Sequence, residues 1–294
     1  MTRRHLITST LAASLGTLAA QNTPSKKIIP IGPFTKPLQF LSFEELAETL
    51  AELGFQGAEV PIRPGGHIEP EAVPDQLPAL VEAFKKHNLE ILAFASGINQ
   101  VSAEQHTETI LTTAAKLGIK RYRLSYYRYD LTKPILPQLD DIRPRLHDLA
   151  ALNKQLGIQG LYQNHSGRNY VGGPLWDICQ LLAPHNPKHL GLAFDIGHAT
   201  VEGGMSWPIQ WKLAQPHLGM IFVKDYLWKN KRRQAVPLGT GQIAPAFFKK
   251  LPPVPISLHV EYHPIKNTPP AQLRETFLPA FKNDLQTLQN LLSQ

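Results

Sequence analysis

The segment 43-FEELAETLAELGFQGAEVPI-62 holds a helix pattern, a stop signal and a strand pattern in direct succession. Large apolar residues recur at the three- and four-residue spacing of one helix face, namely Phe43, Leu46, Leu50 and Leu53. Gly54 follows them, as is typical of a helix end. The run 57–62 is short and apolar, as in strands that are buried on both faces. The segment predicts one helix–strand unit of an α/β protein.

The same order recurs along the chain at intervals of roughly 30 residues. Eight apolar runs are strand candidates: 28–34, 57–62, 90–95, 119–127, 158–164, 190–196, 218–225 and 256–262. Further helical patterns cover 74–88, 104–118 and 141–157. Eight right-handed βαβ units in a row close most economically into a (β/α)8 TIM barrel. An open doubly wound sheet is the alternative, but it favours a glycine-rich loop after the first strand, and 31-IGPFTKPLQF-40 has one glycine and two prolines.

Composition is that of an ordinary globular chain, with 43% hydrophobic and 18% charged residues among 294. No change in composition divides it, so we expect residues 27–294 to form a single barrel domain. The formal charge of +7 is scattered. Its densest run is Lys229–Arg233 (KNKRR), for which we predict a solvated loop and no nucleic-acid partner. Cys179 is the only cysteine, which excludes an intrachain disulfide and a zinc site built on several thiolates.

Residues 1–20 read MTRRHLITSTLAASLGTLAA, with paired arginines before a short run of apolar and small residues. The pattern is similar to a twin-arginine export signal, and it is too short for a mature membrane span. We expect export, with a periplasmic location and no stable membrane insertion. A frayed cytoplasmic tail is the alternative.

Polar residues collect where the predicted strands end, which is the functional face of such barrels. The set comprises Glu59 and His67 near strand two, Gln163, Asn164 and His165 at strand five, Asp195 and His198 at strand six, Lys224 at strand seven, and Glu261 at strand eight. Carboxylate, amide and imidazole groups of this kind can converge on a divalent cation or on substrate oxygens. Taken singly, Asp195 could be a helix N-cap, His198 a loop histidine, and Lys224 with Glu261 a buried ion pair.

The segments LAETLAELGFQGAEV, YQNHSG, FDIGHAT, FVKD and HVEY, taken in order, resemble the xylose isomerase-like TIM barrels, a sugar isomerase and epimerase group. The resemblance implies one divalent ion (Mn²⁺, Mg²⁺ or Zn²⁺) at the mouth of the barrel. It assigns Asp195 and Glu261 as ligands and His198 as a residue facing substrate. The family's glutamate at strand five is replaced by Gln163, and its strand-seven ligand by Phe222. Gln163 could still offer its side-chain carbonyl oxygen as a metal ligand, and His165 could replace the missing imidazole. A pocket in which Lys224 and His198 polarise the substrate without a metal is the alternative.

The substitutions also bear on the reaction, because Gln163 cannot accept a proton. Glu261 is then the clear base for removing a proton next to a carbonyl, with the metal or Lys224 stabilising the enediolate oxygen and His198 or His165 donating a proton. The expected substrate is a neutral sugar, keto-sugar or glycoside, bound also by Glu59, His67, Asn164, His165 and Trp228. An isomerase or a carbon–oxygen lyase fits this chemistry.

Two further hypotheses belong to other classes. One is a non-catalytic carbohydrate-binding barrel with a degenerate metal site. The other is a multi-zinc phosphodiesterase acting on DNA, which the dispersed positions of the 12 histidines disfavour. Association into a homo-oligomer is left open by the sequence.

Overall fold

A computed structural model describes residues 29–294, so the predicted export signal at 1–20 lies outside the described residues. Ten strands occur in this part of the chain. They are β1 (Ile31–Pro33), β2 (Gly57–Ile62), β3 (Glu90–Ser96), β4 (Arg121–Arg123), β5 (Gln159–Gln163), β6 (Leu190–Asp195), β7 (Leu218–Val223), β8 (Asp225–Lys229), β9 (Arg232–Val236) and β10 (Ile256–Leu258).

Eight of these strands form one parallel sheet in the order β1-β10-β7-β6-β5-β4-β3-β2. A parallel bridge between Phe34 and Glu59 joins its two edges, and Thr35 N donates to Glu59 O at 3.0 Å. The sheet therefore closes on itself, and the predicted (β/α)8 TIM barrel is confirmed.

The outer layer is built from α-helices. They are α1 (Phe43–Leu53), α2 (Val73–Lys86), α3 (Thr107–Lys116), α4 (Ile135–Leu156), α5 (Trp176–Leu182), α6 (Ile196–Gly203), α7 (Trp207–Ala214) and α8 (Pro270–Ser293). Ser42 and Glu45 form a capping box at the start of α1, and Gly54 ends it with a φ of 88° that favours glycine. None of the described helices is both long and apolar enough to cross a membrane.

Two apolar layers hold the barrel together. The inner layer fills the space enclosed by the strands with Leu92, Ala93, Leu161, Ala193, Met220 and Phe222. The larger layer lies between strands and helices and contains buried residues such as Leu46, Leu50 and Phe84. Because the inner layer plugs the barrel below the strand ends, polar side chains at those ends meet above an apolar floor.

The chain leaves the barrel after β7 and forms an antiparallel hairpin, β8–β9, before it returns to β10. Lys229–Arg233, predicted to be a solvated loop, is the turn of this hairpin and its flanking strand residues. Asp225 anchors the segment that follows by accepting from the backbone N–H groups of Gly239 at 3.0 Å and Gly241 at 2.9 Å.

Candidate active site

The ammonium of Lys224 lies at the centre of the polar cluster, directly after β7. Its Nζ is 3.0 Å from Asp195 Oδ2, 3.0 Å from Glu261 Oε1 and 2.7 Å from His198 Nε2. Lys224 is 3% exposed, so these contacts replace almost all of its hydration. Burial opposes the charge, but Asp195 and Glu261 outweigh it and raise the pKa of Lys224 above its ordinary value. Lys224 is therefore a cation.

Asp195 is held by its backbone as well as by its charge. It is the last residue of β6 and the N-cap of α6, where its Oδ1 accepts from His198 N at 2.9 Å. Asn164 binds both backbone groups of Asp195, donating to its O at 3.0 Å and accepting from its N at 2.7 Å. Asn164 is fully buried. It positions Asp195, which differs from the direct substrate contact predicted for it.

Gly197 leaves room for the stem of Lys224. A Cβ atom at this position would lie 2.8 Å from Lys224 Cγ and 3.2 Å from its backbone oxygen. Real Cβ contacts are almost never that short, so a larger residue at 197 would push the lysine away. The glycine of the FDIGHAT segment thus allows the lysine to reach Asp195.

The amide of Gln163 is oriented by neighbours on both sides. Its Nε2 donates to Asp195 Oδ2 at 2.7 Å, while its Oε1 accepts from Arg123 Nη1 and from the Tyr126 hydroxyl. The one atom of Gln163 that could bind a metal is therefore occupied by a guanidinium and a phenol. This placement contradicts the role predicted for Gln163 as a metal ligand.

Glu59 anchors the opposite side of the cluster. Its carboxylate lies 3.1 Å from Arg123 Nε, 3.0 Å from His259 Nε2 and 2.7 Å from Ser257 Oγ. Burial opposes the negative charge, but Arg123 and His259 outweigh it and lower the pKa of Glu59 to about 2. Glu59 has no exposed surface and contacts Arg123 and His259, so it positions these two residues, and its own contact with substrate stays a prediction.

Glu261 is the carboxylate of the cluster that solvent can reach, with 34% of its side chain exposed. Its Oε2 is 3.4 Å from Arg233 Nη2 on β9, and its Oε1 is 3.6 Å from His259 Nδ1 as well as 3.0 Å from Lys224. A cavity of about 250 Å³ opens beside it, lined in part by Phe34, Lys36 and His263. Glu261 is therefore the carboxylate best placed to meet a ligand.

Two histidines lie against the other side of Lys224, with ring centroids 3.9 Å apart. His198 receives the lysine at Nε2, so its Nδ1 carries the proton and donates to Ser166 Oγ at 2.8 Å. Burial lowers the pKa of His198 well below its ordinary value, which makes the ring neutral. His165 points Nδ1 at the Ser166 backbone oxygen at 2.7 Å. Its ring stacks on Tyr170, and its other nitrogen remains available as an acceptor.

Two predicted substrate contacts lie away from this cluster. His67 is half-buried in the loop after β2, where its Nε2 lies 3.3 Å from Thr35 O, and burial lowers its pKa to about 4. Trp228 is 52% exposed on β8 and is paired with Arg233 on β9. Opposite residues of a hairpin share a face. The indole therefore stands on the same face as the guanidinium that contacts Glu261, and both residues stay predictions as substrate contacts.

The predicted metal site does not fit these residues. Asp195 and Glu261 converge on the Lys224 ammonium, the Gln163 oxygen faces Arg123, and the His165 ring is bound at Nδ1 to a backbone oxygen. Within residues 29–294, no three His, Cys, Asp or Glu side chains are grouped so as to hold a metal ion.

Three charged residues of the cluster were missed by the sequence interpretation: Arg123, His259 and Arg233. Arg123 stands in β4 and is 5% exposed, with its guanidinium 5.0 Å from the centre of the Phe34 ring. The available signal was a pair of opposite charges, Glu59 and Arg123, inside two runs predicted to be buried strands. A buried charge without a partner costs several kcal/mol, so each required the other.

A closed (β/α)8 barrel with carboxylates, imidazoles and an ammonium gathered at the strand ends defines the class of TIM-barrel proteins. The sequence profile of the xylose isomerase-like TIM barrel family matches residues 47–277, and the chain belongs to that family. No curated protein sequence matches the chain significantly.

Solved structures similar to this chain include sugar epimerases. D-psicose 3-epimerase, solved with D-fructose, is 15% identical with a TM-score of 0.65 over 90% of this chain and 100% of its own. The 3-keto-D-glucoside 4-epimerase of E. coli is 16% identical with a TM-score of 0.61 over 90% and 100%. The IOLI protein with a bound zinc atom is 17% identical with a TM-score of 0.67 over 90% and 98%. At these identities the likeness shows a shared fold.

Proposed function

We propose that this protein is a sugar isomerase or epimerase-like enzyme, or a lyase of keto-sugars, that removes a proton from a carbon next to a carbonyl group. The observation that carries the proposal is the pairing of a solvent-accessible carboxylate, Glu261, with a buried ammonium, Lys224, at 3.0 Å. A base and an oxyanion-stabilising cation side by side are what enolisation requires. The sugar epimerases among the structural neighbours support this class of reaction.

The resting contacts indicate how the pair would act. The three N–H donors of Lys224 already face three acceptors, so a substrate carbonyl oxygen must displace one of them. Asp195 and His198 are buried, whereas Glu261 is exposed. Displacing Glu261 gives the ammonium to the carbonyl oxygen and frees the carboxylate. Glu261 then takes the proton, the C–H electron pair forms the new C=C bond, the π pair of the carbonyl moves onto its oxygen, and Lys224 stabilises the enediolate.

The exchange also changes the basicity of Glu261. Burial raises the pKa of Glu261, but Lys224 and His259 outweigh burial and hold the pKa well below its ordinary value. A carboxylate in this state is a weak base. Losing the contact with Lys224 removes the largest lowering influence, so substrate binding makes Glu261 a stronger base.

We assign the transfer of the hydroxyl proton to His165 in preference to His198. The free nitrogen of His165 takes the proton of the hydroxyl next to the carbonyl and gives it to the carbonyl oxygen, while Glu261 returns its own proton to carbon. Both ring nitrogens of His198 are engaged, by Lys224 and by Ser166, and the residue is 2% exposed. His165 is half-buried and has one ring nitrogen free. Burial and the nearby Lys224 lower the pKa of His165 to about 4, so the ring accepts a proton only transiently.

A neutral sugar, keto-sugar or glycoside is the substrate class that we propose. Arg123, Lys224 and Arg233 are each paired with a carboxylate, which leaves none of these three cations for a phosphate. The rings of Tyr126, Tyr170 and Trp228 at the rim offer apolar faces of the kind on which sugars stack.

Deuterium exchange tests the reaction class. Ketoses and 3-keto-glycosides are incubated with the protein in D₂O, and NMR detects deuterium at the carbon next to the carbonyl. We expect exchange by the wild type and a loss of about 10²–10⁴-fold in Glu261→Gln, whereas Glu275→Gln, at an exposed position on α8, leaves the rate unchanged.

A carbohydrate-binding barrel without catalysis is the second candidate, favoured by Gln163 and Phe222 at positions where the family resemblance implies ligands. It predicts that no sugar exchanges deuterium and that Glu261→Gln leaves sugar affinity unchanged.

Export through residues 1–20 remains part of the proposal, supported by the Arg3–Arg4 pair and the apolar run after it. Fractionation of cells that express the full chain is the test. Replacing both arginines by lysine should retain the protein in the cytoplasm, and an unchanged distribution would rule this route out.

A further inference from the structure

We propose that the Lys224 ammonium is the resident cation of this barrel mouth and that the protein holds no divalent ion there. This inference deepens the proposed function, although its test does not depend on it. Three acceptor atoms from three different elements surround one Nζ atom within 3.0 Å: an aspartate after β6, a histidine in α6 and a glutamate after β10. The three acceptors lie at hydrogen-bond distances from the ammonium, longer than the roughly 2.0–2.2 Å of bonds from nitrogen and oxygen ligands to a metal ion.

Gln163 and Phe222 also disfavour a metal ion at this position. A divalent ion bound to Asp195 would need its Oδ2 atom, but this oxygen already accepts a hydrogen bond from the amide nitrogen of Gln163. Phe222, the inward residue of β7 below Lys224, is fully buried and packs on the ring of His259 at 4.8 Å between centroids. It offers no lone pair. Lys224, Gln163 and Phe222 thus each disfavour a divalent ion and are compatible with an ammonium at the centre of the cluster.

The balance of charge gives an independent argument. Three carboxylates, Glu59, Asp195 and Glu261, face three cations, Arg123, Lys224 and Arg233, in one connected network. The imidazole of His259 also lies between Glu59 and Glu261, so the negative charge of the network is already fully matched. A divalent ion in this largely buried cluster would add two positive charges with no carboxylate left to compensate them, which is costly away from water.

The position of Lys224 directly after β7 places its side chain above Phe222. Phe222 and Lys224 are alternate residues of one strand end, so both project inward. The ring belongs to the inner apolar layer below the strand ends, while Gly197 leaves space for the stem of Lys224. The ammonium is covalently attached to the barrel, so it cannot dissociate.

Mn²⁺ titration followed by electron paramagnetic resonance tests the inference, because bound Mn²⁺ disappears from the free-ion signal. For the wild type, previously treated with chelator, we expect no saturable binding and no change in Tm with Mn²⁺ or Zn²⁺. Lys224→Met keeps the length of the stem and removes the charge. Because Gln163 and Phe222 also disfavour a metal, Lys224→Met should bind one Mn²⁺ per chain only when it is combined with Gln163→Glu and Phe222→His.

Wild-type protein that binds one Mn²⁺ per chain and melts higher with it would overturn the inference. So would a folded triple variant, with Lys224→Met, Gln163→Glu and Phe222→His, that binds no Mn²⁺. If the triple variant does not fold, the wild-type titration decides alone. None of these outcomes depends on finding a substrate, so a failure here is distinct from a failure of the deuterium-exchange experiment.

Discussion

The amide nitrogen of Gln163 lies 2.7 Å from Oδ2 of Asp195, so a neutral side chain donates a hydrogen bond to a buried carboxylate. Gln163→Glu removes that hydrogen and places two carboxylates in contact. We expect the variant to lose about 1–3 kcal/mol of unfolding free energy at pH 7. Mutual repulsion raises the pKa of the new pair, so stability that is present at low pH is lost as the pH rises through it. Urea unfolding at pH 5 and pH 7 measures this, and an equal loss at both would contradict it.

Gly197→Ala tests the space left for Lys224. The added Cβ would lie 2.8 Å from Lys224 Cγ, so the lysine must move away from Asp195 or α6 must shift. We expect a loss of about 1–3 kcal/mol from overpacking together with a lower rate of sugar deuteration. Val201→Ala on the same helix is the control, since it removes atoms at a half-buried position away from the lysine. Comparable stability and activity in both variants would refute the role given to Gly197.

Arg233→Gln removes the hairpin's contact with Glu261. Both side chains are partly exposed, at 27% and 34%, so solvent screens the pair and we expect only about a two- to fivefold change in kcat/KM. Arg232→Gln, at the exposed neighbouring position, is the matched control. Both rates are measured at low and high salt. An effect that does not shrink with added salt would argue against an electrostatic role.

Asp284 on α8 predicts a pH dependence of stability that is separate from the active site. The residue is 3% exposed and accepts from Leu238 N at 3.2 Å, and burial raises its pKa to about 6. The folded state therefore holds this proton more tightly than the unfolded state, so stability falls as the pH rises from about 4 to 6. Asp284→Asn keeps an acceptor for Leu238. It should raise stability at pH 7 and flatten this part of the profile, and an unchanged profile would exclude Asp284 as its source.

The repeated helix–strand pattern was sufficient to predict the barrel, because closure follows from eight parallel units. Strand lengths were less predictable. The run 119–127 was expected to be one strand, but only Arg121–Arg123 pairs with its neighbours, and the last run pairs only over Ile256–Leu258. Beyond those residues the chain turns to place side chains at the mouth. The strands β8 and β9 were not found because each is only five residues long and the charged run Lys229–Arg233 between and within them was interpreted as a solvated loop.

The sequence predicted several residues of the site but not the contacts between their side chains. The polar strand ends identified Asp195, His198, Lys224 and Glu261, and the structure brings them together around one nitrogen atom. Spacing could not show which of them faces which. The direction of the Gln163 amide depends on Arg123 and Tyr126, and Glu59 is covered by His259 and Ser257, contacts between residues far apart in the sequence.

Lys224 and Asp225 are consecutive residues with different structural roles. The first projects into the mouth, and the second begins the hairpin and fastens the segment after it. Arg233 on that hairpin shares Glu261 with Lys224. A sugar that contacts Trp228 would therefore bind to the hairpin β8–β9, whose first residue, Asp225, directly follows Lys224 in the chain. We expect ligand binding at the rim to shift Lys224 and Arg233 together. Glu261 would then lose both contacts when the ligand binds and regain them when the ligand leaves.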